Sequence, residues 1–312
     1  VIATTGHRDL AATHLVVIVG PTASGKSDLA VELALRLGGE VVNADSMQLY
    51  RGMDVGTAKL GMDERRGVPH HLLDIWDVTE TASVADYQRR AREAIARIHE
   101  RGRVPLLVGG SGLYVRAVID DLDFPGTDPE LRARLEAELA EVGPAALHAR
   151  LAACDPVAAA SILPSNGRRI VRALEVTEMT GRPFSASMPS YDDAEDDAAQ
   201  VGLAVPRPEL DERIAVRVER MWSAGLVDEV RRLEPYGLRS GPTASRALGY
   251  AQVLRFLSGE WTEERAREET VRATRRFARR QESWFRRDPR VRWIDYDAPI
   301  ERALDTIDAC DS

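Results

Sequence analysis

The chain has 312 residues, 44% hydrophobic and 29% charged, with a formal net charge of −8 from 42 basic and 50 acidic side chains. That balance excludes a disordered, collagenous or coiled-coil chain and leaves room for one large domain or two modest ones. Apolar runs such as Leu15–Val19 fall far short of the roughly 18 to 20 residues that a membrane helix needs, so no membrane contact is expected.

Residues 1–13 mix Thr, His, Arg and Asp without an apolar stretch or a small-residue cleavage pattern. They read as a flexible tail on a cytoplasmic protein. The only cysteines, Cys154 and Cys310, lie far apart, which fits a reducing compartment and excludes a structural zinc site.

The β-branched run Leu15–Val19 predicts a strand, followed by a Gly-rich turn and a helix over 28–37 with Leu29, Leu33 and Leu37 on one face. A second short strand is expected at Glu40–Asn43, a helix over 84–99, and a third strand over 104–108 that ends in Gly109-Gly110. Alternation of this kind predicts an α/β fold, a parallel sheet flanked by helices. From Asp128 the sequence turns Ala- and Leu-rich without a strand candidate, so 122–189 reads as a helical insertion domain. After an acidic loop, a returning strand is expected at 200–205, then helices, then a short strand at 291–296. The core is thus discontinuous, 14–121 plus 190–312.

Gly20, Pro21, Thr22, Ala23, Ser24, Gly25, Lys26 and Ser27 fit G-x-x-x-x-G-K-[ST] between a strand and a helix. In that setting backbone N–H groups cradle phosphate at a helix N-terminus, Lys26 adds a charge, and the Ser27 hydroxyl can bind Mg²⁺. A cradle alone leaves nucleotide hydrolysis, phosphotransfer and release of pyrophosphate all open. Asp45, Ser46, Met47 and Gln48 follow the second strand, where ligands of such sheets bind. An Asp there can act as a base or meet Mg²⁺ through water, and Gln suits a bidentate contact with adenine. Ser111, in Gly109-Gly-Ser-Gly-Leu-Tyr114, brings a hydroxyl to the same edge. A kinase with this loop would carry an Asp at the end of the third strand, where this chain has Gly-Gly.

Together these segments resemble the tRNA dimethylallyltransferase (tRNA isopentenyltransferase) family, with a P-loop NTPase-like core. The resemblance rests on the cradle, on Asp45-Ser-Met-Gln-Leu-Tyr-Arg-Gly-Met-Asp-Val-Gly-Thr-Ala-Lys59, on Pro69-His-His-Leu-Leu-Asp-Ile75 and on the Ser111 turn. Arg-Ala-Leu-Glu-Val176, Leu248-Gly-Tyr250, Ala278-Arg-Arg-Gln281 and Trp284-Phe-Arg286 continue it in order. It implies transfer of a dimethylallyl group from its diphosphate to the exocyclic amine of the adenosine 3′ of the anticodon, in tRNAs reading codons that start with U. Pyrophosphate leaves and Mg²⁺ assists. Asp45 would accept the amine proton, Ser46, Met47 and Gln48 would frame the base, and Ser111, Thr in most of the family, keeps the hydroxyl. The segment from Leu210 to Met221 resembles the one that lends a diphosphate-binding arginine, with Arg217 the first choice and Arg213 the second. Arg168, Arg169 and Arg172 in the insertion, and Arg246, Gly249 and Tyr250, match tRNA-contact segments.

Between residues 265 and 290 ten arginines face four acids, a local excess that suits RNA phosphates, although an Arg-rich helix can equally pair with its own acids. His70 and His71 read as structural hydrogen-bonding residues rather than metal ligands, and Asp120, Asp121 and Asp123 as a solvated hinge. A monomer is expected. The alternatives are a prenyltransferase acting on free adenine nucleotides, a P-loop small-molecule kinase, and a non-catalytic RNA-binding protein that has kept the scaffold.

Overall fold

The computed structural model describes residues 15–187 and 198–310. The expected tail at 1–13 and most of the acidic loop lie outside the described residues. Six strands, β1 Leu15–Val19, β2 Glu40–Asn43, β3 His70–His71, β4 Pro105–Gly109, β5 Ala198–Ala204 and β6 Arg292–Asp295, form one sheet in the order β3-β2-β4-β1-β5-β6. Every pairing is parallel. The edge strand β3 has no sequence counterpart, because two residues are too few to show a period; it forms by pairing Val41 with His70 and Val42 with His71.

Each inner strand is buried on both faces, so its residues alternate between two cores. Val17 and Val19 of β1, Val42 of β2 and Leu107 of β4 join one core with Tyr87, Tyr114, Trp222, Tyr250 and Phe285. Val16, Ile18, Val41, Leu106 and Val108 join the other with Leu29 and Leu33 of α1 (Lys26–Leu37) and Ile307 of α11 (Pro299–Cys310). The first core is covered by α2 (Val84–Glu100), α3 (Gly112–Ile119), α7 (Arg207–Ser223), α8 (Leu226–Leu233), α9 (Tyr250–Leu257) and α10 (Glu263–Phe285). Helix α2 shows why these segments are helical: Tyr87, Ala91, Ala94 and Ile98 form one buried stripe, and the Ser83 side chain caps the N-terminus by accepting from the Asp86 N–H. No helix among the described residues is long and apolar enough to cross a membrane.

The chain divides into two compact units, Val1–Ile119 with Asp196–Ser312, and Asp120–Glu195. The second unit consists of α4 (Pro129–Cys154), broken at Gly143 where φ is 80°, with α5 (Pro156–Ser161) and α6 (Gly167–Thr180). Leu135, Leu147, Leu151, Ile162, Ile170 and Leu174 form its own core. Its interior also holds Glu175, fully buried, which takes ion pairs from Arg132 and Arg172 and the backbone N–H of Asp128. Asp120, expected to be solvated, is buried.

Candidate active site

The sheet register sets the site. Val19 pairs with Gly109 and Asn43 with Val108, so β1, β2 and β4 end almost level. The phosphate loop, Asp45 and Ser111 therefore leave the same C-terminal edge, where open α/β sheets bind ligands.

In the phosphate loop, Gly25 adopts φ 94° immediately before α1, and Ala23 is held at φ 65°, a left-handed conformation that costs a non-glycine residue about 1 kcal/mol or more. Within the loop, Lys26 Nζ and the Ser24 N–H both donate to the Pro21 carbonyl, at 3.1 and 3.3 Å. Ser24 is buried and its Oγ has no hydrogen-bond partner among the described residues.

Lys26, Ser27, Arg217 and Leu60 line both a small chamber of about 50 Å³, shared with Asp45, Gln48 and Thr22, and a cleft of about 900 Å³ that runs along α7. Burial, then the nearby Arg217 charge, pushes Lys26 down to about 8, with Asp45 opposing. Burial likewise lowers Arg217, opposed by Asp45 and Asp28. Arg217 is only half-buried as a residue, but its Nε is shut from solvent and has no hydrogen-bond partner among the described residues. Two cations partly removed from water this close together repel each other, an arrangement that a bound anion would relieve.

Arg213, the second choice for this role, does not share it. Glu209 pairs with it at 2.6 Å, and its guanidinium lies over the Tyr296 ring at 4.4 Å. The two arginines lie four apart on one helix face, yet the acid one turn before Arg213 neutralises it alone.

Asp45 accepts the Met47 N–H at 2.9 Å with Oδ1, and its own N–H donates to Asn43 Oδ1. Ser111 Oγ accepts from the Ser46 N–H and donates to Ser46 Oγ, each at 3.2 Å, which ties the β2 and β4 loops together. Two members of the expected base frame differ from expectation. Met47 packs against the core, and the Gln48 amide nitrogen is committed to the Thr57 carbonyl at 3.2 Å, so a bidentate contact with adenine is not prepared. The same carbonyl accepts from Arg217 at 3.3 Å, so Thr57 orients both side chains.

The Asp45–Lys59 block owes its shape to groups that periodicity did not reveal. Lys59, nearly buried, bridges Asp54 and Asp74 and donates to the Tyr50 carbonyl. Glu229 of α8, buried, accepts the N–H groups of Asp54, Val55 and Gly56 and the hydroxyl of Tyr250. Tyr250, expected as a tRNA contact, is thus fully buried and packs beneath the Asp54–Thr57 turn, whose Gly56 leaves no room for a side chain against the Tyr250 ring; Gly249, expected in the same role, is buried too.

Gln281 of α10 ends one of the segments that carry the resemblance, but the sequence assigned it no role. It lies in the buried stripe Ala278, Gln281, Phe285, a 3-then-4 spacing that was legible beneath the arginines. Its Oε1 accepts the Thr22 N–H and its Nε2 donates to the Gly110 carbonyl, both at 2.9 Å. The Ser111 turn is glycine-rich for lack of space: a Cβ at Gly110 would lie 2.2 Å from the Gln281 amide and one at Gly112 2.1 Å from the Trp284 ring.

Of the expected RNA-contact arginines, Arg168, Arg169 and Arg246 are exposed. Arg172 is not available: it binds Glu175 and the Pro125 and Gly126 carbonyls. In the C-terminal run, Arg267, Arg272 and Arg286 pair with acids on their own or a neighbouring helix, and Arg290 pairs with Asp288. Arg276, Arg279 and Arg287 are exposed and form no ion pair among the described residues. His71 pairs with Glu40 and His70 meets the Val68 carbonyl, the structural roles expected of them.

Residues 48–288 match the family model described as IPP transferase. Among similar curated proteins, the tRNA dimethylallyltransferase of Thermobifida fusca is 71% identical over 297 residues, covering 93% of each chain. That of Streptomyces coelicolor is 71% identical over 283 residues, covering 91% of this chain and 90% of the relative. Of solved structures, the full-length tRNA isopentenylpyrophosphate transferase of Bacillus halodurans superposes with a TM-score of 0.68 at 44% identity, covering 96% of this chain and 95% of that one. A eukaryotic dimethylallyltransferase captured acting on tRNA gives a TM-score of 0.77 at 26% identity, over 93% of this chain and 77% of that one. With a family match over residues 48–288 and relatives 71% identical across nine-tenths of the chain, the chain belongs to the IPP transferase family.

Proposed function

We infer that the protein is a tRNA dimethylallyltransferase, which moves a dimethylallyl group from dimethylallyl diphosphate to an adenosine amine of tRNA and releases pyrophosphate. The observation that carries the reading is the pair of half-buried cations, Lys26 and Arg217, which line one small chamber together with Asp45. A leaving diphosphate gains most where its charge grows against preorganised cations, and a carboxylate close by is what an attacking amine needs.

In this reading the N6 amine attacks the allylic carbon, the carbon–oxygen bond breaks, and its electron pair leaves with pyrophosphate. Lys26, Arg217 and the backbone of the 20–27 loop hold the diphosphate, and Asp45 takes the amine proton. Ser111 and Ser46 hold the acceptor loop, and Gln48 offers its free carbonyl oxygen to the base. Ser27, which lines both cavities beside Lys26, would hold Mg²⁺ through its hydroxyl together with the diphosphate oxygens. Bound there, Mg²⁺ would neutralise charge growing on the leaving oxygen.

The target is the adenosine 3′ of the anticodon in tRNAs reading codons that start with U, and a flipped base is the way into a chamber of this kind. Arg168, Arg169, Arg246, Arg276, Arg279 and Arg287 contact RNA phosphates, and the insertion takes part in tRNA binding. In this reading the enzyme works as a cytoplasmic monomer.

The test is incubation with Mg²⁺, dimethylallyl diphosphate and either tRNA or AMP, followed by nucleoside mass analysis. A dimethylallyl increment on one tRNA adenosine, absent with AMP and lost in Asp45→Ala, is expected. An increment on AMP alone would sink the tRNA reading.

A further inference from the structure

We propose that Gln281 is a positioning residue for this reaction: one side-chain amide sets the separation between the loop that grips the diphosphate and the turn that carries Ser111. The inference rests on the prenyl-transfer reading.

Beyond Val19 and Gly109 the strand ladder stops, so no further strand pairing fixes the β1 loop against the β4 loop. Gln281, 5% exposed, bridges that gap. Its carbonyl oxygen takes the Thr22 N–H and its amide nitrogen binds the Gly110 oxygen. Only one orientation of the amide satisfies both partners, since a flip would set donor against donor and acceptor against acceptor. The amide is therefore a gauge with two fixed ends. Trp284, three residues on and against Gly112, holds the same turn from the same helix.

The consequence lies in geometry. Thr22 lines the chamber and precedes the strained Ala23, while Gly110 precedes Ser111, whose hydroxyl holds Ser46 next to Asp45. Gln281 is buried and lines neither of these two cavities, so the role assigned to it is exerted through Thr22 and Gly110. It acts on the relative position of leaving group and acceptor, which must align for in-line transfer, and not on the affinity of either.

The test compares Gln281→Met, of similar length but able to make neither bond, and Gln281→Glu, which keeps the acceptor but turns a carboxylate onto the Gly110 oxygen. Thr270→Val serves as a control for stability, because it removes a buried hydrogen bond elsewhere on α10. Melting temperature, substrate KM values and the single-turnover rate at saturation are measured. Expected is a rate lower by about 10- to 100-fold in both Gln281 variants, with both KM values within about threefold of the parent. Thr270→Val should keep the rate. A rate within about twofold of the parent in Gln281→Met, an equal fall in Thr270→Val, or a rise in KM at unchanged rate would each overturn the proposal. If the unsubstituted protein fails to prenylate tRNA, the functional reading falls instead.

Discussion

Replacing Lys26 by Arg tests the electrostatics of the cradle directly. Burial and Arg217 lower Lys26 from 10.5 to about 8, a bias of about 3 kcal/mol against its charged form. A bound diphosphate returns that free energy by restoring the charge. At pH 8 roughly half of the free protein carries a neutral Lys26, so binding draws in roughly half a proton, and at pH 7 only about a tenth. Arginine does not titrate in this range. Calorimetry of Mg²⁺-pyrophosphate binding in two buffers of different ionisation enthalpy reads the uptake, and protons belonging to pyrophosphate itself cancel between parent and variant. The parent should take up about half a proton more than Lys26→Arg at pH 8, and the difference should nearly vanish at pH 7. Equal uptake by the two proteins at pH 8 would refute the reasoning. The same shift fixes a sign for stability. The unfolded chain binds more protons at this lysine between about pH 8 and 10.5, so the group's contribution to stability rises across that window and its penalty is complete below it.

Gly112→Ala sets a methyl group 2.1 Å from the Trp284 ring and should destabilise the protein by about 1–3 kcal/mol. Gly126→Ala, with nothing within 4 Å, should leave the melting temperature almost unchanged, and equal shifts would contradict the packing account. Arg168→Ala with Arg169→Ala should weaken tRNA binding and flatten its dependence on log salt by about 0.7–0.9 for each phosphate no longer neutralised, without unfolding the insertion. Arg172→Ala should act oppositely: it leaves buried Glu175 one partner short, so thermal stability falls by about 1–3 kcal/mol while the salt slope holds. An unchanged slope in the first variant, or a changed one in the second, would reverse the assignment.

The sheet was legible because its inner strands are buried on both faces, and such strands are near-continuous apolar runs. Leu15–Val19 and Glu40–Asn43 carry that signal at their observed limits, and the 104–108 expectation differs from Pro105–Gly109 by one residue. The phosphate loop was legible for a different reason: its chemistry is backbone chemistry, so the glycines and Lys26 that allow it sit next to each other in the chain. What local sequence could not provide was pairing across long separations. Arg217 and Arg213 look equivalent on one helix face, and only the fold delivers Arg217 to Lys26 while Glu209 and Tyr296 occupy Arg213.

Burial of polar groups followed the same division. Tyr250 reads as an aromatic available to RNA until the Glu229 carboxylate is seen to need its hydroxyl, and Arg172 reads as a free cation until Glu175 is found beneath it. Neither partner can be identified from composition, because a buried carboxylate and an exposed one are the same letter. Gln281 is the sharpest case, an inconspicuous residue among arginines whose two hydrogen bonds reach 171 and 259 residues away. The sequence by itself determined which segments become the inner strands, where the glycine-rich loop lies and which family the chain resembles, since each depends on neighbours in the chain. Which cations stay unpaired, which acids are buried and how far the phosphate loop stands from the Ser111 turn were decided only by tertiary structure. Those properties are interactions between residues that meet only when the sheet edge is assembled.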